Sequence, residues 1–444
     1  MAIIIYIDMQ EIMERVIIKK FKDSYSFDRK LIYLFFFFLI FEGAFRKWIL
    51  PGASSLFVVI RDPIVFLLVV RGLQRGWLNN GYCIFSIVLS IISFLLSFAQ
   101  DSTNLAIQYY GTRIFLLYFP AIFVMGRVLT LDDVYKLGKY IIYISIPMTM
   151  LVIAQYVSPQ SAWVNRGVGG DITGAGFGGA MGYFRPSGVF SFTQGFTIFQ
   201  SLVLSYILLF FYNNRAREVT NITRRILYIA LICYIICIPV SISRTILFQT
   251  IGILFFLAIG LGISGNKIFG KSVLLALLIG SILPILMSIP EIQLFMDVYT
   301  ARFEEASYAE GDIVGGTIMD RYFGSFLRAW SLDVPSWGHG IGLGTRLALT
   351  YIPNMTFITD EEWTRIIYES GYIIGTGYIL LRVILSVQLL LQSFRKSIQN
   401  MDISTLIFLP SVLFLLPQGS FGNTVPLGFT VLITGILITL LIKK

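Results

Sequence analysis

Apolar residues recur along this 444-residue chain in runs of about 20, the length that crosses a bilayer as a helix. The runs lack the apolar–polar alternation of an outer-membrane barrel. They predict spans near residues 31–45, 55–70, 82–99, 114–129, 138–157, 188–212, 226–243, 245–264, 272–290, 366–392, 404–417 and 426–442. That is about 12 transmembrane helices. The first is short and interrupted by Glu42, and the second carries Arg61-Asp62-Pro63 inside it, so both are candidates for broken or re-entrant segments.

Composition turns the pattern into a class. With 56% hydrophobic, 15% aromatic and 13% charged residues, and a mean hydropathy of +0.78, the chain lies far outside the range of soluble domains. It reads as an all-α polytopic integral membrane protein, with residues 31–442 as one transmembrane domain. Residues 1–30 hold Arg15, Lys19, Lys20, Lys22, Arg29 and Lys30 with no small-residue cleavage site. They predict a cytoplasmic amphipathic segment and not a removable signal peptide. Cys83, Cys233 and Cys237 fall within apolar runs, at a spacing that suits neither a disulfide framework nor a metal site.

Charge orients the spans. With both termini cytoplasmic, the inner segments collect 21 of the 34 basic residues and the outer ones 12, with Arg382 inside a span, as the positive-inside rule requires. The inner set is 11 Lys and 10 Arg, whereas the outer set is 11 Arg and Lys47 alone. Two outer loops are long. Residues 158–187 contain "NRGVGGDITGAGFGGAMGYFRPSG", too rich in glycine for a helix; residues 291–365 are long enough for short helices that cap a cavity.

Arg46, Arg61, Arg113, Arg166, Arg185, Arg244, Arg302, Arg321, Arg328, Arg346 and Arg365 all fall at outer span ends or in outer loops. The role of interfacial anchor or ion-pair partner accounts for any one of them. The bias across the set points further, because the guanidinium fork matches phosphate oxygens bidentately, whereas lysine serves for generic charge. Arg61, Arg244 and Arg382 sit at or within spans, where charge is costly and marks function or a buried pair, for Arg61 with Asp62 or Glu42. The 291–365 loop carries eleven acidic residues against five Arg, so an anion site there is a local pocket and not a basic funnel.

Several segments in order, "EGAFRKWILPG", "VIRDPIVFLLV", "YGTRIFLLYFPAIF", "FRPSGVFSFTQGF", "SISRTILFQTIGI", "WGHGIGLGT" and "EEWTRIIYESGYIIG", resemble the O-antigen polymerase and ligase superfamily between about residues 42 and 382. The resemblance implies a GT-C-like fold in a bacterial inner membrane, with the active site facing the periplasm and the two long loops on that side. It implies transfer of a glycan from undecaprenyl diphosphate to a sugar hydroxyl, with inversion and without a metal or other cofactor. The implied partners are lipid-linked donor and acceptor and membrane lipids, together with a chain-length regulator and a flippase, and no nucleic acid.

Carried over residue by residue, the resemblance assigns Arg46, Arg113, Arg185 and Arg244 to the diphosphate or lipid head. Arg365 and Arg382 match the "EW-R" segment and the helix after it. Ser187, Thr193 and Gln194 suit either sugar hydroxyls or the cap of the next helix. Ligases of this superfamily place a histidine before the "E-x-G" helix, where this chain has Asp360, Glu361 and Glu362. Glu362 is the first candidate base and Asp360 the second, against the alternative of an acidic turn favoured by a helix N-terminus.

His339, the chain's only histidine, sits among glycines that speak more of backbone shape than of side-chain chemistry. It takes a minor substrate-binding role, or one that positions Arg346. Without a second histidine or paired cysteine nearby, no metal site is expected. The missing ligase-type histidine favours a repeat-unit polymerase over a ligase. A transporter or flippase with a central anion site is the reading from another class, and the one-sided arginines weigh against it.

Overall fold

A computed structural model describes residues 25–100, 104–263, 293, 297–302, 304, 324–345, 347–352, 359 and 361–443. The amphipathic segment expected at the amino terminus falls almost wholly outside these residues, as do the span expected at 272–290, Asp360, Arg321 and Arg346.

Fourteen helices carry the described architecture: α1 Ser26–Ala44, α2 Asp62–Gln74, α3 Gly81–Leu96, α4 Leu105–Arg113, α5 Phe119–Val128, α6 Leu131–Val157, α7 Thr193–Tyr212, α8 Asn214–Thr220, α9 Arg224–Val240, α10 Arg244–Ile263, α11 Ser325–Trp330, α12 Glu362–Asn400, α13 Ser404–Leu415 and α14 Thr424–Ile442. Only an isolated bridge, Gly178 to Phe184, has β geometry among the described residues. Eight helical stretches are long and apolar enough to cross a membrane, and α8 with α9 form a ninth if that pair, bent by 103°, counts as one span. The protein is an all-helical polytopic membrane protein.

Of the two expected interruptions, the one at Arg61-Asp62-Pro63 is seen and the one at Glu42 is not. α1 runs through Glu42 and loosens into a π-turn at Phe45–Ile49 before Pro51. The second span breaks at residues 58–61, between a single turn at Ser54–Phe57 and α2, whose second residue is Pro63. α4 and α5 are joined by another π-turn, Ile114–Tyr118, so that they make one bent span. Proline at the first turn of a helix and the extra residue of a π-turn are the standard causes of such bends.

The bundle is organised around α14 and α7, which are buried along almost their whole length. α14 meets α5 where Gly126 faces Ile438 and Gly435 faces Met125, a close approach that small residues allow. Its two ends carry different chemistry. At the end where α2 finishes, buried Asp28 holds Arg71 and Arg75, Tyr33 donates to Asp133, and Lys396 donates to the last carbonyls of α14. The opposite end gathers Glu42, Arg46, Lys47, Arg61, Arg113, Arg185 and the start of α12.

Candidate functional site

At this second end, the π-turn after α1 sets three consecutive polar-tipped residues against the glycine-rich loop. Arg46 donates to Glu42 (3.4 Å) and Ser191 (3.1 Å), and its carbonyl accepts the N–H of Gly169. The Lys47 Nζ donates to Ser187 Oγ at 2.7 Å and the Gly188 carbonyl at 3.2 Å. The Trp48 indole N–H donates to the Trp163 carbonyl, and the two rings lie 5.6 Å apart. Gly43 lets α1 reach the loop backbone, since a Cβ there would stand 2.3 Å from the Val189 carbonyl oxygen.

Two buried amides hold the loop to the end of α6. Gln155 donates to the Val164 and Gly188 carbonyls and accepts from the Gly188 N–H, while the Asn165 amide donates to three carbonyls at Gln155, Ser158 and Pro159. Satisfied polar groups of this kind give a loop without regular structure a defined shape. Between the loop and the π-turn lies a small cleft lined by Lys47, Gln155, Gln160, Asn165, Phe184, Arg185 and Ser187.

Among the described residues two cations and no carboxylate line it. The Arg185 backbone is fixed by donation to the Phe177 carbonyl, but its Nε is buried with no hydrogen-bond partner among the described residues. Burial, then the nearby Arg302, lower its hold on its proton. Lys47 is 1% exposed and lies in the π-turn, outside the eight spans. Burial, then Arg46, push its ammonium down to about 7, because a charge taken from water is disfavoured beside another of the same sign.

Several other arginines are paired with carboxylates. Arg61 pairs with Glu42 at 2.9 Å and donates to the Thr424 carbonyl. Arg113 grips Asp62, which also accepts from Tyr118 (2.7 Å) and Tyr109 (3.1 Å). Of the two partners open to Arg61, the structure selects Glu42, and Asp62 serves Arg113. Arg365 lies between Glu362 (2.8 Å) and Glu369 (2.6 Å), and Arg382 reaches the same Glu362 at 2.7 Å while donating to the Leu416 and Gly419 carbonyls. Glu361 is held by Arg328 and Thr364. Arg244, buried at the first position of α10, lies near Tyr299, whose hydroxyl donates to the Ser243 carbonyl.

The turn between α13 and α14 joins the two charge networks. It gives the Leu416 and Gly419 carbonyls to Arg382, the Pro417 carbonyl to Trp363 and the Thr424 carbonyl to Arg61, and Gly422 lies against Arg365.

The glycine run around His339 has its own explanation. α12 is kinked at Gly371, where φ is +67°. The freed carbonyls of Tyr368 and Glu369 accept the N–H groups of His339 and Gly340, both at 3.0 Å, so the loop splices into the broken helix. The Glu369 carboxylate accepts the Gly344 N–H, and Gly342 lies against Ile107 and Gly111 of α4. The half-buried His339 ring rests on Tyr368 at 4.6 Å.

The structure thus brings Arg46 and Arg113 into one cluster and Glu362, Arg365 and Arg382 into another, with Arg185 on the cleft. Lys47 was missed as a site residue, although its signal was present: it is the one lysine among the outer basic residues. The expected capping roles of Ser187 and Thr193 are not seen. α7 begins after Phe192 with no side-chain cap; Ser187 precedes that position by more than a turn and accepts from Lys47 instead. Among the described residues no group of three or more His, Cys, Asp or Glu is placed to hold a metal. No protein-family model and no curated protein sequence matches the chain.

Proposed function

We propose that the protein is a membrane glycosyltransferase of the O-antigen polymerase type, GT-C-like with about 12 spans. It joins undecaprenyl-diphosphate-linked oligosaccharide units at the periplasmic face of a bacterial inner membrane. What carries the reading is the cleft where Lys47 and Arg185 meet without a carboxylate. A diphosphate leaving group brings two negative charges and gains more as the glycosidic bond breaks, and fixed donors in a partly desolvated cleft stabilise that growth without reorganising. Arg46 stands next to the cleft, anchored by Glu42 and Ser191. Paired Arg113, Arg365 and Arg382 hold the frame around it. The segments that resemble the superfamily include the residues of the cleft, "FRKW" and "FRPSG".

The test is extension of lipid-linked repeat units by purified protein in lipid nanodiscs, expected to give a ladder of chain lengths. Arg185→Lys is expected to cut the rate about 100-fold, the size of one lost preorganised donor set. Transfer of a single chain to a different acceptor makes the protein a ligase instead. Unchanged extension by Arg185→Lys removes the cleft from the reaction.

A further inference from the structure

We propose that the cleft takes up one proton when it binds a phosphoryl-type dianion, and that Lys47 receives it. The inference rests on the reading of this cleft as the diphosphate site. Its first ground is donor counting. A neutral amine has two N–H donors and an ammonium has three. Among the described residues Lys47 Nζ has two acceptors, Ser187 Oγ and the Gly188 carbonyl, and both are uncharged. Those two take both N–H groups of an amine and leave the third N–H of an ammonium without an acceptor. Lys47 lines the cleft, so an anion's oxygen completes the set.

The second ground is the charge around it. On its own element, Arg46 adjoins Lys47, and Glu42 one turn back is engaged by Arg46 and Arg61. From the loop, Arg185 shares the cleft, with Arg302 near it. Asp171 in that loop is exposed, and its carboxylate accepts the Thr173 N–H and hydroxyl. The end of α6 offers Gln155, and the loop adds Gln160 and Asn165, all uncharged. The Trp48 ring, 5.3 Å from Nζ, is the one further group that favours the cation. With the cleft empty, burial and Arg46 therefore hold Lys47 near a value of about 7.

A bound dianion reverses this balance by favouring the ammonium. Above pH 7 the empty cleft holds the amine, and each anion that enters draws a proton from solvent. Linkage then makes affinity fall as pH rises above 7, by up to about tenfold per pH unit, until the anion-bound lysine itself loses its proton.

The experiment uses the full chain in phosphatidylcholine nanodiscs and a short-chain prenyl diphospho-sugar. That probe is a diphosphate diester, so its two charges do not titrate between pH 6 and 9. Calorimetry at pH 8 in Tris and in HEPES, whose protonation heats differ, counts the protons taken up. We expect close to one proton per probe, and weaker binding at pH 9 than at pH 8 by several-fold or more. Lys47→Met is expected to bind weakly with no uptake, and Lys47→Arg to bind with no uptake. Inorganic sulfate separates the sources of the ligand: uptake with both probes supports a site that reads charge alone, and uptake with the ester only supports a lipid-linked ligand. Binding without uptake and with a flat pH profile overturns the proton coupling while the diphosphate cleft stands. Uptake that persists in Lys47→Met overturns the assignment to Lys47. Failure of both probes to bind at any pH overturns the cleft itself and the proposed function with it.

Discussion

Glu362→Gln separates two accounts of the carboxylate at the start of α12. Glu362 is 4% exposed, and its oxygens accept from Arg365 Nε at 3.0 Å, Arg365 Nη2 at 2.8 Å and Arg382 Nη1 at 2.7 Å. Glutamine keeps the shape but withdraws the charge, and its NH₂ group faces a guanidinium where an acceptor stood. Arg365 retains Glu369, but Arg382 loses its carboxylate and keeps two carbonyls and the face of the Phe421 ring. Removing one partner from a buried ionic group costs about 3–5 kcal/mol, because the cation left behind is uncompensated. At about 1 °C per kcal/mol for a chain of this size, the melting temperature is expected to fall by about 3–5 °C. The assay is thermal unfolding in nanodiscs, run beside glycan extension. The double variant Glu362→Gln/Arg382→Met is expected to recover part of the loss, giving a coupling energy of at least about 1 kcal/mol. A melting temperature within about 1 °C of the parent, with extension abolished, would refute the ion-pair reasoning and restore Glu362 as a catalytic base.

Gly342→Ala is expected to cost at least about 2 kcal/mol, since φ is +89° and the new Cβ would meet the Ile107 carbonyl oxygen at 2.2 Å; Gly52→Ala, with open space around it, is the matched control and should leave thermal unfolding unchanged. Gln155→Leu removes the amide that ties the glycine-rich loop to α6 and should expose residues 158–192 to limited proteolysis well before the rest of the chain. Stability of the empty protein should rise with pH above about 7 through Lys47. Its folded value lies below the 10.5 of free lysine, so over that window the unfolded chain holds a proton that the folded chain has released. Lys47→Met should remove that rise, a slope of at most about 1.4 kcal/mol per pH unit, measured by denaturation at pH 7, 8 and 9.

Most of the helical architecture was legible because a bilayer leaves the chain few choices. Uninterrupted apolar length near 20 residues identifies α3, α10 and α14 closely, whereas α6 starts at Leu131, before the expected 138, and α7 at Thr193, after the expected 188. The break in the second span was legible too, since Arg61-Asp62-Pro63 cannot sit in lipid unpaired, whereas Glu42 is paired and α1 runs through it. Proline and charge mark where a helix must stop, but not which distant helix supplies the partner. The kink at Gly371 was not legible. Its cause is the insertion of Gly338 and its neighbours into α12, a contact between segments over 30 residues apart that no local periodicity records.

The candidate site divides along the same line. Glu42–Arg46, Glu362–Arg365 and Arg365–Glu369 are three or four residues apart on a helix, so their pairing follows from spacing alone. Arg113–Asp62 and Arg382–Glu362 span 51 and 20 positions and needed the fold. An outer arginine therefore says little by its type. Inside a bundle the informative quantity is the charge left over after every carboxylate has been assigned, because each buried pair cancels and only the surplus attracts an anion. At the end where α1 meets the glycine-rich loop, Glu42 is shared by Arg46 and Arg61, and Asp62 is taken by Arg113. Two carboxylates thus meet three arginines, and Lys47 and Arg185, which line the cleft, add to the surplus. If that reasoning holds, adding a carboxylate there should cancel the surplus without disturbing the paired frame. Gln160→Glu is thus expected to weaken binding of a diphosphate diester at least about tenfold with little change in thermal unfolding, and unchanged affinity would show that the anion is held elsewhere.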